Sequence, residues 1–181
     1  MPLQSRSAVR SALLCVNHPR LPIFAILFDF SPNHNGRFFQ QEAFPMNYQD
    51  EAQAFLGDVF SGNLDAALTR CADDVVFIST RPDASDTVAA YGTFVGKAGA
   101  ARFFGIFGET LQAGEFNTHA VFGSGHHVAM YGQLKHTARI TGRPFASDWA
   151  LIMRFNDDGK LALYHFYEDT ARLEWALGVQ D

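Results

Sequence analysis

The stretch RITGRPFASDWALIMRFNDDGKLALYHFYED, residues 139–169, holds two turn signals among long apolar and aromatic runs. Thr141-Gly142 reads as a two-residue hairpin loop, because glycine accepts the positive φ that such a reversal needs. Asn156-Asp157-Asp158-Gly159 reads as a four-residue loop for the same reason. The reading is a three-stranded meander over residues 128–140, 143–155 and 160–169.

Turn length fixes register, and register decides which side chains share a face. Counting outward sets Trp149 opposite Leu134 and Phe166, and Leu151 opposite Gly132 and Tyr164. It sets Ser147 opposite His136 and Glu168. On the other face Asp148 falls opposite Lys135 and beside Tyr167, a favourable opposite-charge pair. Trp149, Leu151, Tyr164 and Phe166 are thus expected on one face, with Asp148 and His165 on the other.

Upstream, residues 48–61 read as a helix capped by Asn47 and ended by Gly62, with Ala52, Phe55, Leu56, Val59 and Phe60 on one face. A second helix, residues 64–71, follows its cap Asn63. A strand over 75–79 and a polar loop over 80–93 come next. The spacing of Ala100, Phe103, Phe104, Phe107 and Leu111 predicts a helix over 97–111. Residues 116–122 read as a strand, and residues 171–177 as a last helix between a cap at Asp169 or Thr170 and a stop at Gly178. The order α-α-β-α-β-β-β-β-α is that of an α+β domain. A curved, mainly antiparallel sheet wrapped on a long helix leaves a concave apolar cavity suited to a small ligand.

The 181 residues suggest one domain plus extra chain, and 48% hydrophobic residues with 18 Phe are ample for a core. A net charge of −5 and the lack of a basic run argue against nucleic-acid binding. No apolar run reaches the roughly 18 residues of a membrane span. Cys15 and Cys71 do not make a disulfide framework, which fits a cytoplasmic, reducing compartment. Residues 1–45 carry Arg6, Arg10 and Arg20 before the first acid, Asp29, and five prolines. They are expected to be an N-terminal extension, disordered or added by a mis-assigned start, with Met46 opening the domain of residues 46–181. A targeting peptide and a structured extension are the alternatives.

The segments FLGDVFSGNLDAALTRCADDVVFIS (55–79), YGTFVGKAGAARFF (91–104) and GRPFASDWALIMRFNDDGKLALYHFYED (142–169) resemble the SnoaL-like branch of the nuclear transport factor 2-like superfamily. That superfamily includes ketosteroid isomerases, SnoaL polyketide cyclases and limonene epoxide hydrolases. The resemblance covers residues 47–178. It implies a cone-shaped roll of the cystatin-like kind, a homodimer, and a pocket between the first helix and the sheet. It also implies where acid–base groups should stand. The oxyanion-binding Tyr of the isomerases corresponds to Phe55, their Asp base to Ser79 and their second Asp to Leu151. The cyclases' His also corresponds to Leu151, and the Asp on their last strand to Phe166. The hydrolases' Arg–x–Asp has no counterpart around residues 132–134. Phe and Leu cannot exchange a proton, so the inherited chemistry is not expected here.

The expected pocket floor is Leu134, Trp149, Leu151, Tyr164 and Phe166. Phe55, Val59, Phe77 and Ser79 face it from the neighbouring elements. The row His136–Ser147–Glu168 is the polar row on that face and the expected catalytic set, a Glu orienting or charging a His across Ser147, with adjacent strands about 4.8 Å apart. The histidines His119, His126, His127, His136 and His165 lack zinc-like spacing, so no metal and no cofactor is expected. Tyr131, Ile152, Leu163 and Tyr167 make the outer face half apolar, as a homodimer interface would be. The function expected is binding of a small hydrophobic molecule. The alternatives are an isomerase, cyclase or hydrolase with a non-standard acid–base pair, and a structural dimerisation module.

Overall fold

The structure, a computed structural model, describes residues 46–179. The reading of residues 1–45 as an extension lies outside the described residues. The elements are α1 (Tyr48–Phe60), α2 (Leu64–Thr69), β1 (Cys71–Ser79), β2 (Gly92–Val95), α3 (Gly96–Thr110), β3 (Leu111–Ser124), β4 (His127–Ala138), β5 (Pro144–Phe155), β6 (Leu161–Glu168) and α4 (Thr170–Leu177). The strand β2 arises at the end of the stretch expected to be a polar loop. It pairs antiparallel with β1 at one edge of the sheet.

Local chemistry accounts for the helices. Asn47 Oδ1 accepts from Gln49 N at 3.1 Å, and Asp50 and Glu51 sit in the first turn, where the helix dipole favours negative charge. Ala52, Phe55 and Leu56 are buried, and Gly62 turns the chain at φ 77°. Arg70, just past α2, reaches back to Asp58 at 2.7 Å and Glu51 at 2.9 Å on α1. α4 starts at Asp169, whose side chain accepts from Arg172 N, and stops at Gly178 with φ 79°.

Among the described residues the strands form one six-stranded sheet in the order β2-β1-β6-β5-β4-β3. The β1–β6 pair is parallel and the rest are antiparallel. Its inner face packs on α1 and α3 around Phe55, Phe77, Leu151, Met153 and Tyr164.

The face assignment matches the sequence reading, and the register does not. Trp149 stands opposite Gly132 and Glu168, Leu151 opposite Met130 and Phe166, and Ser147 opposite Leu134. Each is displaced by two residues. Asp148 meets Gln133, whose Nε2 donates to Oδ1 at 2.9 Å, while Lys135 meets Ala146. The supposed Lys135–Asp148 pair is therefore absent.

The first hairpin has a four-residue loop, residues 139–142, closed by Ala138 N donating to Arg143 O at 2.9 Å. Contacts with both neighbouring helices hold this longer loop. Arg139 N donates to Thr110 O, and its Nε donates to Gly108 O at 2.9 Å and Leu111 O at 3.2 Å, all at the end of α3. Thr141 Oγ1 donates to Ala176 O and Arg143 Nη1 to Trp175 O on α4. In the second hairpin Asn156 N donates to Lys160 O, which leaves a three-residue loop with Gly159 at φ 73°. Ala162 is then bulged out between Leu161 and Leu163. One residue fewer in the loop and one extra in the strand again give a shift of two. An even shift moves partners along the strand and leaves every side chain on its own face.

Candidate functional site

A cavity of about 420 Å³ opens between α1, α3 and the inner face of the sheet. Leu56, Val59 and Phe60 line it from α1, and Phe103, Phe104 and Phe107 from α3. The sheet contributes Phe116, Leu134, Tyr164 and Phe166, together with two polar side chains, His136 and Glu168. The volume lies within the roughly 300–1,000 Å³ usual for small-molecule pockets. Its wall is aromatic: the rings of Phe116 and Trp149 stack at 4.4 Å, those of Trp149 and Phe166 at 5.7 Å, and those of Tyr164 and Phe166 at 6.3 Å.

Of the nine residues expected to form the pocket, Val59, Leu134, Tyr164 and Phe166 line the cavity. Phe55, Phe77, Ser79 and Leu151 are fully buried behind the wall, and Trp149 is 3% exposed. The stripe Phe103, Phe104 and Phe107, which the helical period marks only as core, forms the wall facing the sheet. Their spacing was visible in the sequence. That Phe103 and Phe104 pack on Phe77 and Tyr164 of the sheet while a cavity stays open beside them was not.

The row His136–Ser147–Glu168 does not exist as a row. His136 stands opposite Phe145 on β4, and Glu168 opposite Trp149 on β6. A four-residue offset across two strand spacings puts their backbones about 16 Å apart on a flat sheet. His136 has a structural partner: Nδ1 accepts the Gly114 amide at 3.1 Å. Ala113 and Gly114 form the irregularity in β3 that faces His136, so the ring satisfies an N–H that the ladder leaves over. Burial lowers the His136 pKa and keeps the ring neutral. Ser147 is committed as well. Its Oγ accepts from Asp169 N at 2.9 Å and donates to Asp148 O, which fixes the turn into α4.

Glu168 is left alone. Both carboxylate oxygens are buried and have no hydrogen-bond partner among the described residues. Desolvation raises its pKa from 4.5 to about 8, because an ionised carboxylate loses its hydration here and gains no cation in exchange. The same burial, with the nearby Glu168 charge as a second cause, raises the pKa of Tyr164. Further buried polar atoms without partners adjoin it by register. Trp149 Nε1 is on the residue directly opposite Glu168, and Ser79 Oγ is on the residue paired with Phe166. Thr80, next along, is the one non-glycine residue among those described with positive φ, at 45°. A β-branched residue there is strained.

Chemically, the cavity can hold a small apolar molecule against stacked rings, and Glu168, its carboxyl oxygens buried, is the one acidic residue along its wall. Among the described residues no cluster of three or more His, Cys, Asp or Glu side chains is placed to hold a metal ion. No described helix is long and apolar enough to cross a membrane.

Solved structures share this architecture. A nuclear transport factor 2-like protein from Burkholderia xenovorans superposes with a TM-score of 0.63 at 20% identity, over 72% of this chain and 95% of that one. TerC, crystallised with polyporic acid, superposes with a TM-score of 0.63 at 17% identity, over 73% of this chain and 99% of that one. In sequence, 57 residues are 33% identical to Patulin synthesis protein F of Aspergillus clavatus, spanning 32% of this chain and 29% of that protein. The sequence pattern of the SnoaL-like domain matches residues 52–164, more than half of the chain. With the curved sheet, the helices on its inner face and that match in agreement, the chain belongs to the SnoaL-like family and shares the fold of a nuclear transport factor 2-like protein.

Proposed function

We propose that the domain binds a small hydrophobic, polyketide-like molecule in the cavity and moves a proton on it with Glu168. The observation that carries this is the unpartnered, desolvated carboxyl of Glu168, the one acidic residue lining a largely apolar cavity. A carboxylic acid that keeps its proton near neutral pH can donate it to a carbonyl oxygen. Its ionised form can take a proton from the carbon beside that carbonyl. Those two half-steps turn a ketone into its enol and return Glu168 to its acid form, the step that isomerase- and cyclase-type reactions share. The class of ligand is supported by the similarity to TerC, crystallised with polyporic acid, and by the short match to a patulin synthesis protein. The acid–base set thus reduces from the expected pair to Glu168, with His136 holding the β3 irregularity.

The test uses a panel of enolisable aromatic ketones in D₂O, with deuterium incorporation followed by NMR. Wild type should catalyse exchange, and Glu168→Gln should lose at least about tenfold, within the range usual for general acid–base catalysis. Equal exchange by the two proteins would remove Glu168 from the mechanism. The second reading is binding without turnover. It is favoured by Phe55, Leu151 and Phe166 at the family's acid–base positions, and would appear as ketone binding with no exchange in wild type. We also propose that the chain is a homodimer through its outer sheet face and works in the cytoplasm, where the buried, unpaired Cys71 stays reduced.

A further inference from the structure

We propose that Gly105 and Gly108 are specificity-determining residues: they keep the α3 side of the cavity mouth bare, so that a planar, fused-ring aromatic molecule can enter against the helix backbone. This deepens the proposed binding function and rests on it. Glycine inside a helix is less stable than alanine at the same position, so a helical glycine that lines a cavity and packs on nothing marks space that a side chain would fill. Gly99 is closely packed, since a Cβ there would lie 2.9 Å from the Phe94 carbonyl carbon. Gly105 and Gly108 are not, because a Cβ on either would meet no atom within 4 Å. Both line the cavity, and three residues apart they share one side of α3.

Phe60 lines the same cavity from α1, an apolar ring left 55% exposed and packed on Phe116 at 4.5 Å. Of the α3 residues that line the cavity, Gly105 and Gly108 are the two that put no side chain into it, and the slot is inferred there, beside the rings of Phe60, Phe104 and Phe107. A flat molecule fits a slot, and a side chain at either glycine would narrow it. Inside the same cavity the two unpartnered oxygens of Glu168 supply a polar end point for a hydroxyl or carbonyl on that molecule.

Gly57 provides the control. It too lies in a helix, and a Cβ on it would meet nothing within 4 Å, but it does not line the cavity. The experiment titrates the full chain with 2-naphthol, which has two fused rings, and with 1,8-dihydroxyanthraquinone, which has three. Gly105→Leu and Gly108→Leu should bind the three-ring probe on the order of tenfold more weakly and the two-ring probe within about twofold of wild type, as expected when added methylenes overfill a fitted space. Gly57→Ala, Gly105→Ala and Gly108→Ala should all raise Tm, with only the latter two weakening the three-ring probe. If a leucine variant does not fold, the alanine variants decide. Unchanged three-ring affinity, or equal loss of both probes, would overturn the assignment. Wild type binding neither probe would instead sink the ligand-binding reading itself.

Discussion

At the scale of the residue, burial turns Glu168 into an acid that keeps its proton where an exposed glutamic acid has lost it. Between pH 4.5 and about 8 the folded chain holds a proton that the unfolded chain has released. The stability tied to that proton is complete below the unfolded value and is lost as pH rises through the folded one. The loss is roughly 3–5 kcal/mol for a shift of this size. Glu168→Gln stays neutral throughout and should lack this slope. Thermal denaturation of both proteins from about pH 5 to pH 9 should therefore show wild type losing Tm more steeply than the variant. Parallel curves would contradict a buried carboxyl without a partner. The inward direction of Glu168 was legible in the sequence, from alternation along β6. Its isolation was not. That depended on His136 and Ser147 having other partners, an amide in a β3 irregularity and an amide at the start of α4, neither of which leaves a mark in a one-dimensional pattern.

At the scale of the element, the meander shows why faces are easier to read than partners. Trp149, Leu151, Tyr164 and Phe166 alternate with less buried neighbours, and that alternation survives any even error in loop length. Partnering does not survive it. Thr141-Gly142 carries the local signal of a two-residue loop, yet hydrogen bonds to α3 and α4 hold four residues in the turn. The Lys135–Asp148 pair that supported the shorter loop was coincidence. The helices were legible almost to the residue because Asn47, Asn63, Asp169, Gly62 and Gly178 mark their ends chemically. The observed pairing makes its own prediction at Gly132. A Cβ there would run into the Asn117 carbonyl oxygen and would lie 2.8 Å from Cζ2 of Trp149. Backbone cannot yield as a side chain can, so Gly132→Ala should cost about 3 kcal/mol or more. Urea denaturation measures this, and a cost below about 1 kcal/mol would argue against Trp149 lying across Gly132.

At the scale of the whole molecule, the outer sheet face leaves Phe122, Tyr131 and Tyr167 exposed, with the rings of Phe122 and Tyr131 stacked at 6.1 Å. Covering them is what a homodimer would achieve. Light scattering at micromolar concentration should give twice the chain mass, and Tyr131→Glu should give the chain mass alone. A wild-type monomer would leave the face without that role. The clasp formed by residues 139–142 has a further consequence. Arg139 holds the last carbonyls of α3 with one hand, while the side chains of Thr141 and of Arg143, just past the turn, hold those of α4 with the other. Two helices about 60 residues apart along the chain are thereby tied to one turn. Gly108, whose carbonyl oxygen Arg139 grips, also lines the cavity, so the same clasp joins the wall of the binding space to the last helix of the domain.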